Sequence, residues 1–302
     1  MALSHKVVRA FAHDAVTYPL PHGHRFPLAK YRLVREAVER LPQVRVEPAR
    51  PATDEELGRA HTADWIRRVG AGELTRRETL ALGLPWSPEL VERARHSTGA
   101  TLRAADAALA DGVGINLGGG THHAFADSGR GYCVFNDVVA TIRSLRAHGL
   151  ADRFLVVDLD VHQGDGTHSL VAGELDPRTL ALSVNGGANY PFRRVPGDLE
   201  LDLPDGTGDD RYLAGFEPLL AEGVERADAE LCFVLAGADP FVGDRLGRLA
   251  LTKDGLAERD RLTRDTLRAA GVPVCVTLAG GYADPIEDTV EINVETVRTF
   301  SA

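Results

Sequence analysis

The chain reads as an α/β protein: a central, mainly parallel β-sheet flanked by helices on both faces. Three observations lead there. Short β-rich runs alternate with long helical patterns, the arrangement that builds parallel sheets through crossover helices. The β-rich runs are near-continuously apolar rather than alternating, as strands covered on both faces must be. No repeat, low-complexity tract or linker-like run of Pro, Gly and Ser divides the 302 residues, so residues 1–302 are read as one domain.

In chain order, the first strand is expected at 7–12, followed by a helix over 28–41. A shorter apolar run at 44–46 gives a second strand, and a helix is expected over 55–69. Ser87, Pro88 and Glu89 place an N-cap, a first-turn proline and a first-turn acid before a helix running to Asp111, which Gly112 closes. A strand follows at 113–117, and a helix over 136–148 ends at Gly149. Strands at 154–161 and 179–184 precede an irregular stretch, 185–208, rich in Gly, Pro and Asp. Loops of that length inside compact folds are usually functional or disordered. A helix over 209–226 leads to a strand at 231–236. Thr252 caps a helix that ends at Gly271, with Pro273 just beyond. A strand at 274–278 and a helix from Asp284 to Phe300 complete the pattern.

Composition narrows the function. Apolar residues are 44% and charged residues 26% of the chain, and 34 basic against 44 acidic side chains leave a net charge of −10. That balance excludes nucleic-acid binding, which draws on phosphate neutralisation, and docking on an anionic membrane surface. It favours cationic partners in general. Cys133, Cys232 and Cys275 are far apart and form no CxxC pair, which fits a reducing compartment. The first twenty residues carry Lys6, Arg9, His13 and Asp14 without a continuous apolar stretch, so no signal peptide is expected. No run reaches the roughly 18 apolar residues of a spanning helix. A soluble, cytoplasmic protein is expected.

Ligands of open parallel sheets bind beyond the carboxyl ends of the strands, and four of these ends are loaded. The richest is Phe154-Leu-Val-Val-Asp158-Leu-Asp160-Val-His162-Gln-Gly-Asp165-Gly. Strand geometry would set Asp158, Asp160 and His162 on one face. Two carboxylates buried side by side are costly unless a cation or a donor network compensates them. An Asp-x-His pair at a buried strand end therefore reads as half of a metal site. Gly118-Gly-Gly-Thr-His122-His123 follows the strand at 113–117, and its glycines permit close backbone approaches. Asp239-Pro240 can supply a further oxygen ligand, although Asp-Pro also forms plain turns. Gly280-Gly281-Tyr282 sets a tyrosine hydroxyl at the fourth end.

Five motifs occur together and in order: Gly-Gly-Thr-His122-His123-Ala, Gly131-Tyr132-Cys133-x-x-Asn136-Asp137, Asp158-Leu-Asp160-Val-His162-Gln-Gly-Asp165-Gly, Gly237-Ala-Asp239 and Gly280-Gly281-Tyr282. They resemble the zinc-dependent deacetylases of the arginase/deacetylase fold, the histone deacetylase family, from about Lys6 to the last helix. Gln163 and the run Pro204-Asp-Gly-Thr-Gly-Asp-Asp are similar to the bacterial and class IV branch. The resemblance implies Zn2+ held by Asp160, His162 and Asp239, with positions left for water and substrate. The mixed oxygen and nitrogen donors also suit Fe(II) or Co(II). It implies His122 and His123 as a tandem pair beside the reacting water. Asp158 and Asp165 are then their carboxylate partners, fixing tautomer and pKa. His123 would be the general base and acid, His122 mainly electrostatic, and Tyr282 the donor to the substrate carbonyl.

The same resemblance implies a narrow apolar channel for an acyl-lysine stem. Tyr132 would form one wall, Gly131 would accept the substrate amide, and Gly280 would border the substrate. The opposite wall is expected in 185–197, where Phe192 and Tyr190 are the aromatic residues. A structural K+ ion would use Asp158, Asp160, His162 and Ser183, partly through main-chain oxygens. The expected activity is removal of acetyl or other acyl groups from lysine side chains of a peptide or protein, or from acylated polyamines and related amines. A two-manganese ureohydrolase resembling arginase would need Asp-x-His-x-Asp, but the acid after His162 is Asp165, one position late, and the one after Asp239 is Asp244. A non-catalytic binder of acylated ligands would have lost part of this set, and every member is present.

Overall fold

The computed structural model describes residues 7–302; Lys6, at which the resemblance begins, lies outside them. The chain runs β1 (Val8–Ala12), α1 (Lys30–Val38), β2 (Val44–Pro48), α2 (Asp54–Gly58), α3 (Ala63–Ala71), α4 (Arg76–Leu82) and α5 (Pro88–Asp111). It continues through β3 (Val113–Asn116), α6 (Asp137–Ala147), β4 (Phe154–Asp158), α7 (Asp165–Val171), β5 (Thr179–Gly186) and β6 (Leu199–Leu203). The last elements are α8 (Asp209–Ala227), β7 (Leu231–Leu235), α9 (Lys253–Ala269), β8 (Val274–Thr277) and α10 (Ile286–Phe300). The strands form one sheet in the order β2-β1-β3-β8-β7-β4-β5-β6, and every neighbouring pair is parallel.

That order decides where chemistry can gather. The chain leaves β3 and enters β4 three places away, and β7 and β8 later fill the gap. The four strand ends carrying polar motifs therefore lie side by side at the centre of the sheet. Strand alternation splits the core into two layers. Leu155, Val157, Cys232 and Val234 pack with Phe216, Leu220, Leu256 and Ile292 of the helices on one face. Phe154, Val156, Leu231 and Phe233 pack with Ala100, Ala104, Val138 and Ile142 on the other. The small residues of α5 let it lie directly on the strands, and its predicted cap is present: Ser87 Oγ accepts from Leu90 N at 3.1 Å.

Four expectations need correction. The helix expected over 55–69 is two helices, α2 and α3, because Thr53 and Thr62 each turn back to cap a new start. The strand expected to reach 161 stops at Asp158. The stretch 185–208 contains the edge strand β6, whose Leu-Glu-Leu-Asp-Leu sequence alternates because only one face is covered. Helices α4 and α7 fall where none was expected.

One buried side chain ties the strand ends together. Arg259 of α9 is fully buried, and its Nε donates to Asp260 at 2.9 Å. Its Nη1 donates to the carbonyls of Gly237 at 2.8 Å and Leu159 at 3.3 Å, the residues preceding the loops of Asp239 and Asp160. Asp260 also accepts from Thr296 of α10 at 2.6 Å. Removing one partner of such a pair strands a buried charge and costs about 3–5 kcal/mol. Arg259→Leu is expected to lose that much unfolding free energy in urea denaturation; a loss below about 1 kcal/mol would contradict the bracing role.

Candidate active site

Asp158, the last residue of β4, turns its Oδ2 to His122 Nδ1 at 2.7 Å. Beyond it the chain leaves the sheet. Asp160 N donates to Asp158 Oδ1 at 3.2 Å, and His162 N donates to Asp160 Oδ1 at 3.0 Å. Short carboxylate side chains thus capture the amides that a longer ladder would have used. Asp160 and His162 are brought together by these turns, not by the strand alternation expected for them.

Asp239 arrives from the end of β7, its Oδ1 accepting from Val161 N at 2.9 Å. His162 Nδ1 then lies 2.9 Å from Asp160 Oδ1 and 3.3 Å from Asp239 Oδ2. One ligand atom from each of the three residues lies within 4.8 Å of the others. Gly280 closes the centre from β8, donating its N–H to Asp160 Oδ2 at 2.8 Å. A Cβ at this position would sit 2.0 Å from Asp239 Oδ2 and 2.5 Å from Asp160 Oδ2, so no side chain fits. Lys30, which the amphipathic pattern of its helix concealed, is buried beneath the turn. Its Nζ donates to Ala279 O at 3.1 Å and Gly281 O at 3.4 Å.

The electrostatics follow from burial and spacing. Burial, then the charge of Asp160, pushes Asp239 up to about 7. Burial opposes the charge on His162, but hydrogen bonds to Asp160 and Asp239 outweigh it and raise the imidazole to about 10. The two histidines of the tandem pair diverge, although their rings are 4.1 Å apart. His122 is also disfavoured as a cation by burial, but Asp158 and Asp160 raise it to about 9. His123 is lowered to about 4 by burial and then by the charge of His122, against its 2.6 Å contact with Asp165 Oδ1. A carboxylate only accepts, so His123 carries its proton on Nδ1. Tyr282 is held protonated by burial and by the charges of Asp160 and Asp239.

His122, His123, Asp160 and His162 form the floor of a cavity of about 580 Å³ that Gly131, Tyr132, Tyr190, Gly280 and Tyr282 also line, with Asp239 buried just behind the floor. Tyr132 adopts the left-handed conformation, φ 68°, rare for an aromatic residue. Its backbone is pinned there by Gly131 N to Ala81 O at 3.0 Å and Tyr132 N to Leu82 O at 2.8 Å. Gly131 shares that conformation, and a Cβ on it would come 2.6 Å from His123. From the 185–197 stretch Tyr190 lines the cavity, edge-on to His123 with centroids 4.9 Å apart. Phe192 sits at the rim, 87% exposed. Ser183 is buried opposite Asp158 in the β4–β5 register, its hydroxyl accepting from Asn185 Nδ2 at 3.2 Å.

A parallel sheet with such a polar centre at its carboxyl edge is the architecture of a deacetylase-type hydrolase. The family model of the histone deacetylase domain matches residues 24–297, and the chain belongs to that family. It is a deacylase of the histone deacetylase fold. It is 40% identical to an uncharacterised protein of Picosynechococcus sp., over 92% of each chain. It is 32% identical to human polyamine deacetylase HDAC10, over 87% of this chain and 43% of that protein. With the histone deacetylase-like amidohydrolase of Pseudomonas aeruginosa it shares 28% identity over 80% of this chain and 67% of the other. The crystal structure of a deacetylase homologue from Aquifex aeolicus has the same fold, with a TM-score of 0.82 at 23% identity over 97% of this chain and 84% of that one.

The raised imidazoles predict a pH dependence. Free histidine titrates near 6.5, whereas His122 and His162 hold protons to about 9 and about 10 in the folded chain. Their contribution to stability is complete below the unfolded value and is lost as pH rises through the folded values. The unfolding midpoint of chelator-treated protein should fall from about pH 7 to about pH 10, and fall less steeply in His162→Asn. An unchanged slope in the variant would contradict these protonation states.

Proposed function

We propose that the chain is a metal-dependent amidohydrolase that removes acetyl or other acyl groups from acylated lysine side chains or related amines. One observation carries the reading. Asp160 and His162 on the floor of the cavity and Asp239 just behind it meet within 4.8 Å, beside two histidine–carboxylate pairs. The donor set fits a divalent cation: Asp239 Oδ2 is buried, with the poorly aligned His162 Nδ1 3.3 Å away, and the space facing it admits no side chain at Gly280. Zn2+ is the first expectation, and Fe(II) or Co(II) suit the same atoms. When bound, such a cation supplies Lewis acidity, making water more acidic and polarising an amide carbonyl.

The chain's own residues do the rest. His123, neutral with its proton on Nδ1, offers Nε2 to accept a proton from the attacking water, and Asp165 steadies the imidazolium that forms. His123 then returns that proton to the departing amine nitrogen. His122, kept cationic by Asp158, stabilises negative charge without exchanging a proton. The Tyr282 hydroxyl donates to the developing oxyanion. Tyr132 and Tyr190 flank the acyl-bearing arm and exclude water from it. The three cysteines are free and buried, which supports a reducing, cytoplasmic setting. Among the described residues no helix is long and apolar enough to cross a membrane.

The test is hydrolysis of an acetyl-lysine fluorogenic peptide. Turnover is expected to vanish with a chelator and to return with added Zn2+, Co2+ or Fe2+. Tyr282→Phe should lower kcat by about 10²–10³, the effect of removing one oxyanion donor, with bound cation unchanged. Turnover indifferent to chelation, or near-normal turnover in Tyr282→Phe, would overturn the assignment.

A further inference from the structure

We infer that the mouth of this site selects acylated amines bearing a negative charge, a carboxylate above all, beside the acylated arm, and turns polycationic ones away. The inference rests on the deacylase reading and narrows its substrate class. The net charge of −10 favours cationic partners for the molecule as a whole, but the mouth reverses that sign. Arg25, Arg245 and Arg248 line the cavity, and the one carboxylate among its lining residues is Asp160, on the floor.

The three guanidiniums are poorly neutralised. Among the described residues Arg25 has no ion pair. Arg245 reaches Asp284 only at 3.8 Å, with that carboxylate 72% exposed. Arg248 meets Asp205 at 3.3 Å, and both side chains are about half exposed. Exposed pairs of this kind hold their partners weakly. Arg25 and Arg245 also flank a recess of about 230 Å³ beside Tyr282, shared with Leu246. Both act on Tyr132: burial raises its hydroxyl, and the charges of Arg25 and Arg245 oppose that rise.

The loop carrying two of them is rigid. Asp244 accepts from Leu246 N at 2.8 Å, Gly247 N at 2.9 Å and Tyr282 N at 2.5 Å. Arg245 Nε donates to Tyr282 O at 3.1 Å. Asn189, next to the wall residue Tyr190, donates to Leu246 O at 2.8 Å and accepts from Arg248 N at 3.2 Å. The backbone of that loop and the Arg245 guanidinium are therefore held in place relative to Tyr190 and Tyr282. A substrate whose acylated arm lies between Tyr132 and Tyr190 must place its remaining groups among these arginines. A carboxylate there gains charge-assisted hydrogen bonds from planar, multiply donating guanidiniums. An ammonium there is repelled.

The carboxylate has two sources, the α-carboxylate of free Nε-acyl-lysine or acidic side chains flanking an acyl-lysine in a peptide. The test measures kcat/KM for acetyl-lysine peptides differing only in flanking Glu or Lys, for free Nε-acetyl-lysine and its carboxamide, and for acetylspermidine. The Glu-flanked peptide is expected to exceed the Lys-flanked one on the order of tenfold at low salt. The ratio should approach unity near 1 M salt, where the screening length is about 3 Å. Arg25→Glu, and more strongly Arg25→Glu with Arg248→Glu, should invert it, a ratio that overall loss of activity does not move. Preference for free acetyl-lysine over its carboxamide assigns the charge to the amino acid; preference only among peptides assigns it to acidic flanks. Turnover indifferent to flanking charge, or acetylspermidine as the best substrate, overturns this inference while leaving the deacylase reading intact. No turnover of any acyl-lysine probe overturns both.

Discussion

Two buried carboxylates, Asp160 and Asp239, share one imidazole, and the centre of the molecule is arranged around that constraint. Both side chains are almost wholly sealed from solvent, where an isolated negative charge is costly and a second beside it more so. His122 Nε2 comes within 3.9 Å of Asp160, but the two buried basic side chains nearby make no hydrogen bond to either acid. Lys30 spends its hydrogen bonds on the carbonyls of Ala279 and Gly281, and Arg259 on Asp260 and the carbonyls behind the ligand loops. What remains between the two acids is His162 and the gap that Gly280 leaves open. A sheet that delivers four strand ends to one spot makes such an arrangement possible; the proposed divalent cation would make it stable.

The same field separates two histidines that the sequence writes as an identical pair. Each has a carboxylate on Nδ1, at 2.7 Å for His122 and 2.6 Å for His123. His122 also feels Asp160, while His123 feels the charge of His122 instead. One imidazole is thereby cationic and its neighbour neutral, which is the division of labour the proposed mechanism needs. In the proposed mechanism, position relative to the buried acids, not residue type, separates the two roles.

Much of this was legible in the sequence for physical reasons. Buried parallel strands must be apolar throughout, so β1, β3, β4, β5, β7 and β8 announced themselves, as did α5 through Ser87 and Pro88. Polar residues placed immediately after such a strand had few structural reasons to be there, so Asp158, Asp160 and His162 stood out, whereas His122, His123, Asp239 and Tyr282 gained roles only through the resemblance of the five motifs taken together. The edge strand β6 was missed because its single covered face leaves an alternating pattern set among Gly, Pro and Asp. Tyr190 was not singled out as the wall, because a loop's course is set by contacts such as Asn189 with Leu246 and Arg248, which are remote in sequence. The basic mouth was hidden for the same reason. Residues 25, 245 and 248 meet only in the fold, and the total charge pointed the other way.

The central claim is that Asp160, His162 and Asp239 grip a cation, and its stoichiometry can be counted. Purified chain equilibrated with Zn2+ and freed of excess should retain one ion per chain by elemental analysis. The variant carrying both Asp160→Asn and Asp239→Asn should retain none while keeping its far-ultraviolet circular dichroism. Wild-type chain that takes up no ion, or a doubly substituted chain that holds it as well, would contradict the account.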